Sequence, residues 1–249
     1  LAISKNGLWG FADIHGEMII PCVYEQAREF EDGVAWVRKG DKWGLIDKTN
    51  KYIIKPVYRD IDKFREGIAR VKTFQHDTCY VNRKGDLIAK DFKFGKPFSE
   101  GLAAVKFKLK GEKASFGFIN MAGKCVIPPQ FKDCGLFSEG LCSVEIKKRW
   151  GFIDRTGKFV IEPQYFRTLS FNDGIAGVIT ENGMIGYLNP DGTFLVKPKF
   201  YDGGEFSSNL APVFDGKKWG FIDKKGEYKI KPKYRFAASF SEGLAAVQY

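Results

Sequence analysis

The stretch Trp219-Gly-Phe-Ile-Asp-Lys-Lys-Gly-Glu-Tyr-Lys-Ile-Lys-Pro-Lys-Tyr234, continued by Arg235-Phe-Ala-Ala-Ser-Phe-Ser-Glu-Gly-Leu-Ala-Ala-Val247, decides the fold, because most of the chain consists of copies of it. Bulky apolar residues up to Asp223, then Asp-x-x-Gly, predict a strand entering a tight hairpin turn. Asp at the first turn position bonds its own backbone two residues on, and Gly226 supplies a left-handed conformation. Tyr234 to Phe240, a Ser-Glu-Gly243 turn and Leu244 to Val247 repeat the scheme. Four short strands per copy predict an antiparallel meander within each repeat.

Working outward, the copies begin near residues 9, 43, 78, 116, 150, 185 and 219, and such near-constant spacing marks a solenoid, propeller or array. Their first turn places Asp13, Asp47, Asn82, Asn120, Asp154, Asn189 and Asp223 in one slot. Three residues later stand Gly16, Asn50, Gly85, Gly123, Gly157, Gly192 and Gly226. The second turn carries Gly33, Gly67, Gly101, Gly140, Gly174, Asn209 and Gly243. A Gly slot whose lone exception is Asn predicts positive φ, at Asn50 and Asn209 alike.

The third copy is degenerate. Thr78-Cys79 replaces Trp-Gly, Asp91 replaces the proline, and the segment up to Phe98 is one residue short. Longer loops flank it. At the other extreme, Leu1-Ala2-Ile3 matches the tail of a last strand, since Ile3 precedes Trp9 as Val37 precedes Trp43.

Lys42-Trp43-Gly44, Arg149-Trp150-Gly151 and Lys218-Trp219-Gly220 recur with the Ile-Asp-x-x-Gly turn, Ile54 to Tyr58, Ile230 to Tyr234, and Phe240 to Ala245. Together these motifs resemble the bacterial WG repeat family, also called KWG, over residues 9–249. The resemblance implies a propeller-like β-repeat structure in a family regarded as mediating interactions. It supplies no catalytic residues.

The expected fold is all-β: seven short antiparallel meanders in one domain spanning 1–249, arranged as a seven-bladed β-propeller. Radial packing of blades leaves only short, protected edges. The recurring Trp would pack between blades, with the glycine after it allowing close backbone approach. An open β-solenoid array is the alternative, because eight last-strand slots accompany seven first-strand slots. A ring has no use for the eighth.

Composition narrows the function. The chain has 249 residues, 44% hydrophobic and 15% aromatic, without a run approaching a membrane span. Its net charge of +10 permits nucleic acid, acidic partners or anionic lipid. That charge comes from 30 Lys against 10 Arg, and lysine dominance weakens the case for specific phosphate reading. The cysteines Cys22, Cys79, Cys125, Cys134 and Cys142 are odd in number and lack CxxC spacing, which argues against a disulfide framework. This usage favours a cytoplasmic setting. One pair among Cys125, Cys134 and Cys142 stays open, and so does export through an upstream signal, because the sequence starts at Leu1 rather than Met.

Catalysis has little support. His15 lies in a turn, and His76-x-x-Cys79 is half a metal site without a second half. Asn fills three of seven acidic turn slots, which suits capping and not acid–base chemistry. No enzyme activity, cofactor or metal is expected.

The candidate partner-binding residues are Trp36, a bulky side chain in a small-residue slot, and two lysine groups. One group, Lys106, Lys108, Lys110 and Lys113, sits on an inserted loop. The other, Lys229, Lys231 and Lys233, shares one face of a strand. The expected function is a repeat scaffold for protein–protein interaction or assembly, with an acidic protein as one option. The alternative is a binding module for an anionic polymer, either nucleic acid or acidic glycan.

Overall fold

The computed structural model describes residues 1–107 and 115–249, and no helix occurs among them. Two compact units divide the chain, 1–114 with 119–125 and 115–118 with 126–249, so the border falls inside the fourth repeat. Antiparallel sheets of at most four strands, with neighbours in sequence order, build both units. That is the strand plan of a propeller blade.

The sheets are not in phase with the repeats. One sheet contains Gln26–Ala27, Val34–Lys39, Lys42–Asp47 and Tyr52–Tyr58, so it joins the second half of one copy to the first half of the next. The antiparallel meanders expected of the repeats are there, with each four-stranded sheet drawn from two consecutive copies. The reason is local: a two-residue connection through Gly40 (φ 64°) folds Val34–Lys39 directly onto the tryptophan strand, with Lys39 opposite Lys42. The same phase gives Leu1-Ala2-Ile3 its place. Ala2–Lys5 pairs with Leu8–Ala12, setting Ile3 against Gly10.

Trp-Gly and Ile-x-Pro are two halves of one device. Trp43 pairs with Tyr58 and Leu45 with Ile54, so two residue steps on one strand face four on the other. The surplus bulges over Gly44, where an added Cβ would stand 2.7 Å from the Ile54 carbonyl oxygen and 2.9 Å from Pro56 N. Proline suits a bulge, where its missing N–H is not needed by the ladder. The copies beginning at Trp9, Trp150, Ile185 and Trp219 share this register. The close approach expected at this glycine therefore comes from the next strand of its own sheet.

The third copy loses both halves together. Thr78 pairs with Phe92 and Tyr80 with Ala89, a bulge shorter by one residue, and Cys79 fits where glycine was needed. Asp91 takes φ 67°, which proline's fixed φ near −65° forbids.

Alternate residues of each strand face opposite sides, and both sides are buried. Ala35, Val37 and Ile46 pack with Phe11, Ile20 and Tyr24 of the preceding sheet. Trp36, Trp43 and Leu45 pack with Ala69, Val71, Cys79 and Val81 of the following one. In the other unit the pattern recurs, with Phe171 and Phe206 fully enclosed. Residues before the second turn supply a buried phenylalanine in copy after copy, each worth about 1.5–3 kcal/mol when taken fully from water.

Both turn types behave as the Gly/Asn slots predict, with Asn50 at φ 66° and Asn209 at φ 61°. At the first turn, Asp47 Oδ1 accepts from Thr49 N (2.8 Å) and Lys51 N (3.0 Å). The second turn holds a surprise: its preceding residue is left-handed as well, as at Asp32 (φ 50°), Glu66 (52°), Glu139 (54°) and Asp173 (55°). Two consecutive positive φ values make a type I′ hairpin. At three of these positions the acidic side chain reaches the next turn. Glu66 accepts from Glu100 N (2.7 Å) and Gly101 N (2.8 Å), Glu139 from Gly174 N (2.9 Å), and Asp173 from Asn209 N (2.8 Å).

Candidate interaction site

The first unit contains a cavity of about 900 Å³ where several copies depart from the consensus. Some of its lining residues share one slot in the returning strand. That slot holds Ala2, Trp36, Arg70, Ala104, Ser143, Gly177, Pro212 and Ala246, so only Trp36 and Arg70 are large. Both line the cavity. The sequence reading singled out Trp36 and missed Arg70, whose signal was the same bulk in the same slot.

Trp36 is 3% exposed, so this candidate partner-binding residue is part of the buried wall. It stacks on Phe64 at 5.7 Å and 16°, and the Arg83 guanidinium covers Phe64 at 4.7 Å. Arg83 comes from the first turn of the degenerate copy and also bonds Glu31 and Asp32, each at 2.9 Å. The Trp36 indole Nε1 is buried without a hydrogen-bond partner.

Arg70 is held from several sides. Its Nε donates to Asp62 at 2.7 Å, Nη1 to the Gly95 carbonyl at 2.5 Å, and its guanidinium lies 5.9 Å from the Phe94 ring. The segments 27–31 and 61–65 add Arg28, Glu29, Phe30, Asp62, Lys63 and Arg65 to the lining. Arg28 lies 5.9 Å over the Trp43 ring. Aromatic walls under a charged rim suit a side chain carrying an apolar body and a polar end.

The lysine groups stand apart from one another in character. Lys229, Lys231 and Lys233 alternate on the exposed side of Tyr228–Tyr234, as the strand pattern predicts. Lys229 pairs with Asp223 at 3.1 Å, and Lys233 lies 5.1 Å over Tyr234 and 6.0 Å from Tyr249. Lys106 closes the strand Leu102–Lys106 opposite Phe94. Lys108, Lys110 and Lys113 lie outside the described residues.

The remaining chemistry-bearing residues have structural surroundings. His76 is exposed against Arg59, while Cys79 is buried in the core with Trp36 and Trp43. Burial pushes the Cys79 thiol up from its ordinary pKa, so it stays protonated at neutral pH. None of the five cysteines is joined in a disulfide. Among the described residues no cluster of His, Cys, Asp and Glu could hold a metal ion, and no helix is long and apolar enough to cross a membrane.

A crystal structure of a eukaryotic initiation factor is similar, with a TM-score of 0.55 at 11% identity, covering 95% of this chain and 75% of that one. At that identity the likeness speaks for the fold alone. A computationally designed protein, Ika8, matches at TM-score 0.49 and 12% identity over 99% of this chain and 91% of that one. The WD40 β-propeller domain of Doa1 matches at TM-score 0.38 and 12% identity, covering 87% and 86%. No curated protein sequence matches the chain. The WG containing repeat matches seven times, at residues 9–43, 43–73, 80–108, 116–150, 150–183, 185–219 and 219–249. With nearly its whole length accounted for by that repeat, the chain belongs to the WG repeat family.

Proposed function

We propose that this chain is a non-enzymatic repeat scaffold that binds a protein partner through the cavity of its first unit. The observation that carries the reading is the pairing of Trp36 and Arg70 in a slot that is otherwise small. Repeats need alike residues wherever they pack on one another, so departures gathered around one cavity indicate a surface with a separate task. Interaction sites also combine aromatic and arginine side chains in a recess with a polar rim.

A photo-crosslinking residue at Lys63, on the rim, tests this in a lysate of the source cells. The expected result is a discrete protein adduct that is missing when the same residue replaces Glu162, on the exposed side of Phe159–Tyr165. Adducts of equal yield from both positions, or none from Lys63, would refute the site.

The polymer reading rests on the exposed lysine strand. Lys229 is already ion-paired to Asp223 within the chain, which places it second. Neutralising Lys229, Lys231 and Lys233 separates the two. If that strand carries duplex DNA, the slope of log affinity against log salt falls by roughly two to three.

A further inference from the structure

We infer that the cavity lined by Trp36 and Arg70 is built for an acidic peptide segment carrying an apolar side chain. This rests on the reading that the cavity is an interaction site, and it names the chemistry of what enters. Four cations line the cavity, Arg28, Lys63, Arg65 and Arg70, against the carboxylates Glu29, Glu31 and Asp62.

Ion pairs change that balance. Asp62 is taken up by Arg70 at 2.7 Å, and Glu31 by Arg83 at 2.9 Å. Among the described residues no ion pair engages Arg28, Lys63, Arg65 or Glu29, so three cations face one carboxylate. All three cations are exposed, which leaves them available to a ligand. An excess of this kind favours a partner of opposite sign and raises its rate of encounter.

The lining beneath the charges is apolar. Trp9 and Phe30 are partly exposed, while Trp36 and Phe64 form a stacked wall that is buried. An apolar or aromatic side chain would cover the first pair, as carboxylates beside it meet the rim.

A random glutamate–tyrosine copolymer is a suitable probe, with tryptophan emission as the readout because Trp9 and Trp36 line the cavity. Polyglutamate, a lysine–tyrosine copolymer and oligothymidylate serve as comparisons. The test variant combines Arg28→Glu, Lys63→Glu and Arg65→Glu, all exposed positions, with its melting temperature checked against wild type. The expected result is binding of glutamate–tyrosine copolymer ahead of polyglutamate and oligothymidylate. The triple variant should weaken it by about tenfold or more, a difference of about 1.4 kcal/mol, and should gain affinity for the lysine–tyrosine copolymer. Neutralising Lys229, Lys231 and Lys233 should leave copolymer binding unchanged.

Several results would overturn the inference: no binding of the copolymer, equal binding by the triple variant, loss through the lysine strand instead, or preference for oligothymidylate. The crosslink at Lys63 keeps the two levels apart. An adduct there without copolymer binding would remove the acidic class and leave the interaction site standing.

Discussion

The Tyr24 hydroxyl donates a 2.6 Å hydrogen bond to the Asn50 side-chain oxygen, tying one sheet to the hairpin turn of the next. Asn50 thus does two jobs at once. Its backbone occupies the left-handed position, and its side chain satisfies the hydroxyl of a tyrosine that is only 2% exposed. Asn209 has the first job, and among the described residues its side chain forms no comparable bond to a tyrosine.

Asn50→Gly and Asn209→Gly should therefore behave differently, although the repeat pattern treats them alike. Asn209→Gly is expected to be neutral or slightly stabilising. Asn50→Gly loses the tyrosine bond and should cost about 1 kcal/mol. Asn209→Val should be clearly harmful, because a β-branched side chain resists positive φ. Urea midpoints of the three variants check this, and equal effects at both glycine substitutions would contradict it.

Gly44→Ala should destabilise by about 1–3 kcal/mol, because its new methyl meets backbone and not a movable side chain. Cys79→Ala, in the equivalent slot of the third copy, should cost less than about 1.5 kcal/mol. Thermal denaturation of the two single variants decides the matter. A harmless Gly44→Ala would mean that the bulge relaxes freely.

Glu66 and Glu242 occupy the same left-handed turn position, at φ 52° and 51°. Glu66 clips two amides of the next turn, whereas no such clip forms from Glu242 among the described residues. Glu242→Gly should stabilise by up to about 1 kcal/mol through relief of backbone strain. Glu66→Gly gains the same relief and loses two charge-assisted bonds, for a net loss of about 1 kcal/mol. Opposite signs in the shift of denaturation midpoint are the expected outcome.

Acid should weaken the first-turn hairpins in a defined window. Hydrogen bonds from the Thr49, Thr156 and Thr193 side chains hold Asp47, Asp154 and Asp191 below their ordinary pKa of 3.8, and the Glu227 amide does the same for Asp223. A carboxyl group whose folded pKa is depressed contributes stability that is full above its unfolded value and lost as pH falls through the folded one. The contribution of these turns should stay level from pH 7 to pH 5 and decline below about pH 4. Asp154→Asn should reduce the difference in denaturation midpoint between pH 7 and pH 3. An unchanged difference would show that this carboxylate is not part of the acid response.

Local sequence determined what local chemistry controls. The Asp-x-x-Gly and Glu-Gly turns could be read directly, since a slot filled by Gly and occasionally Asn has few explanations other than positive φ. Strand positions and the repeat length followed from the same slots, as did the alternating lysines at Lys229, Lys231 and Lys233. Trp36 was visible too, through bulk where its counterparts are small. Tertiary structure decided which strands share a sheet, because antiparallel pairing depends on the partner across the hairpin and not on where a repeat is said to begin. It also showed why Trp-Gly and Ile-x-Pro disappear together in the third copy: the two motifs meet across one bulge, and deleting a residue from that bulge removes the need for both. The cavity itself was illegible in sequence. Arg70 lies on the strand Ile68–Lys72, Asp62 and Phe64 on the segment before it and Arg83 in the next copy's first turn, and only their packing around Trp36 gives their charges and rings a common place.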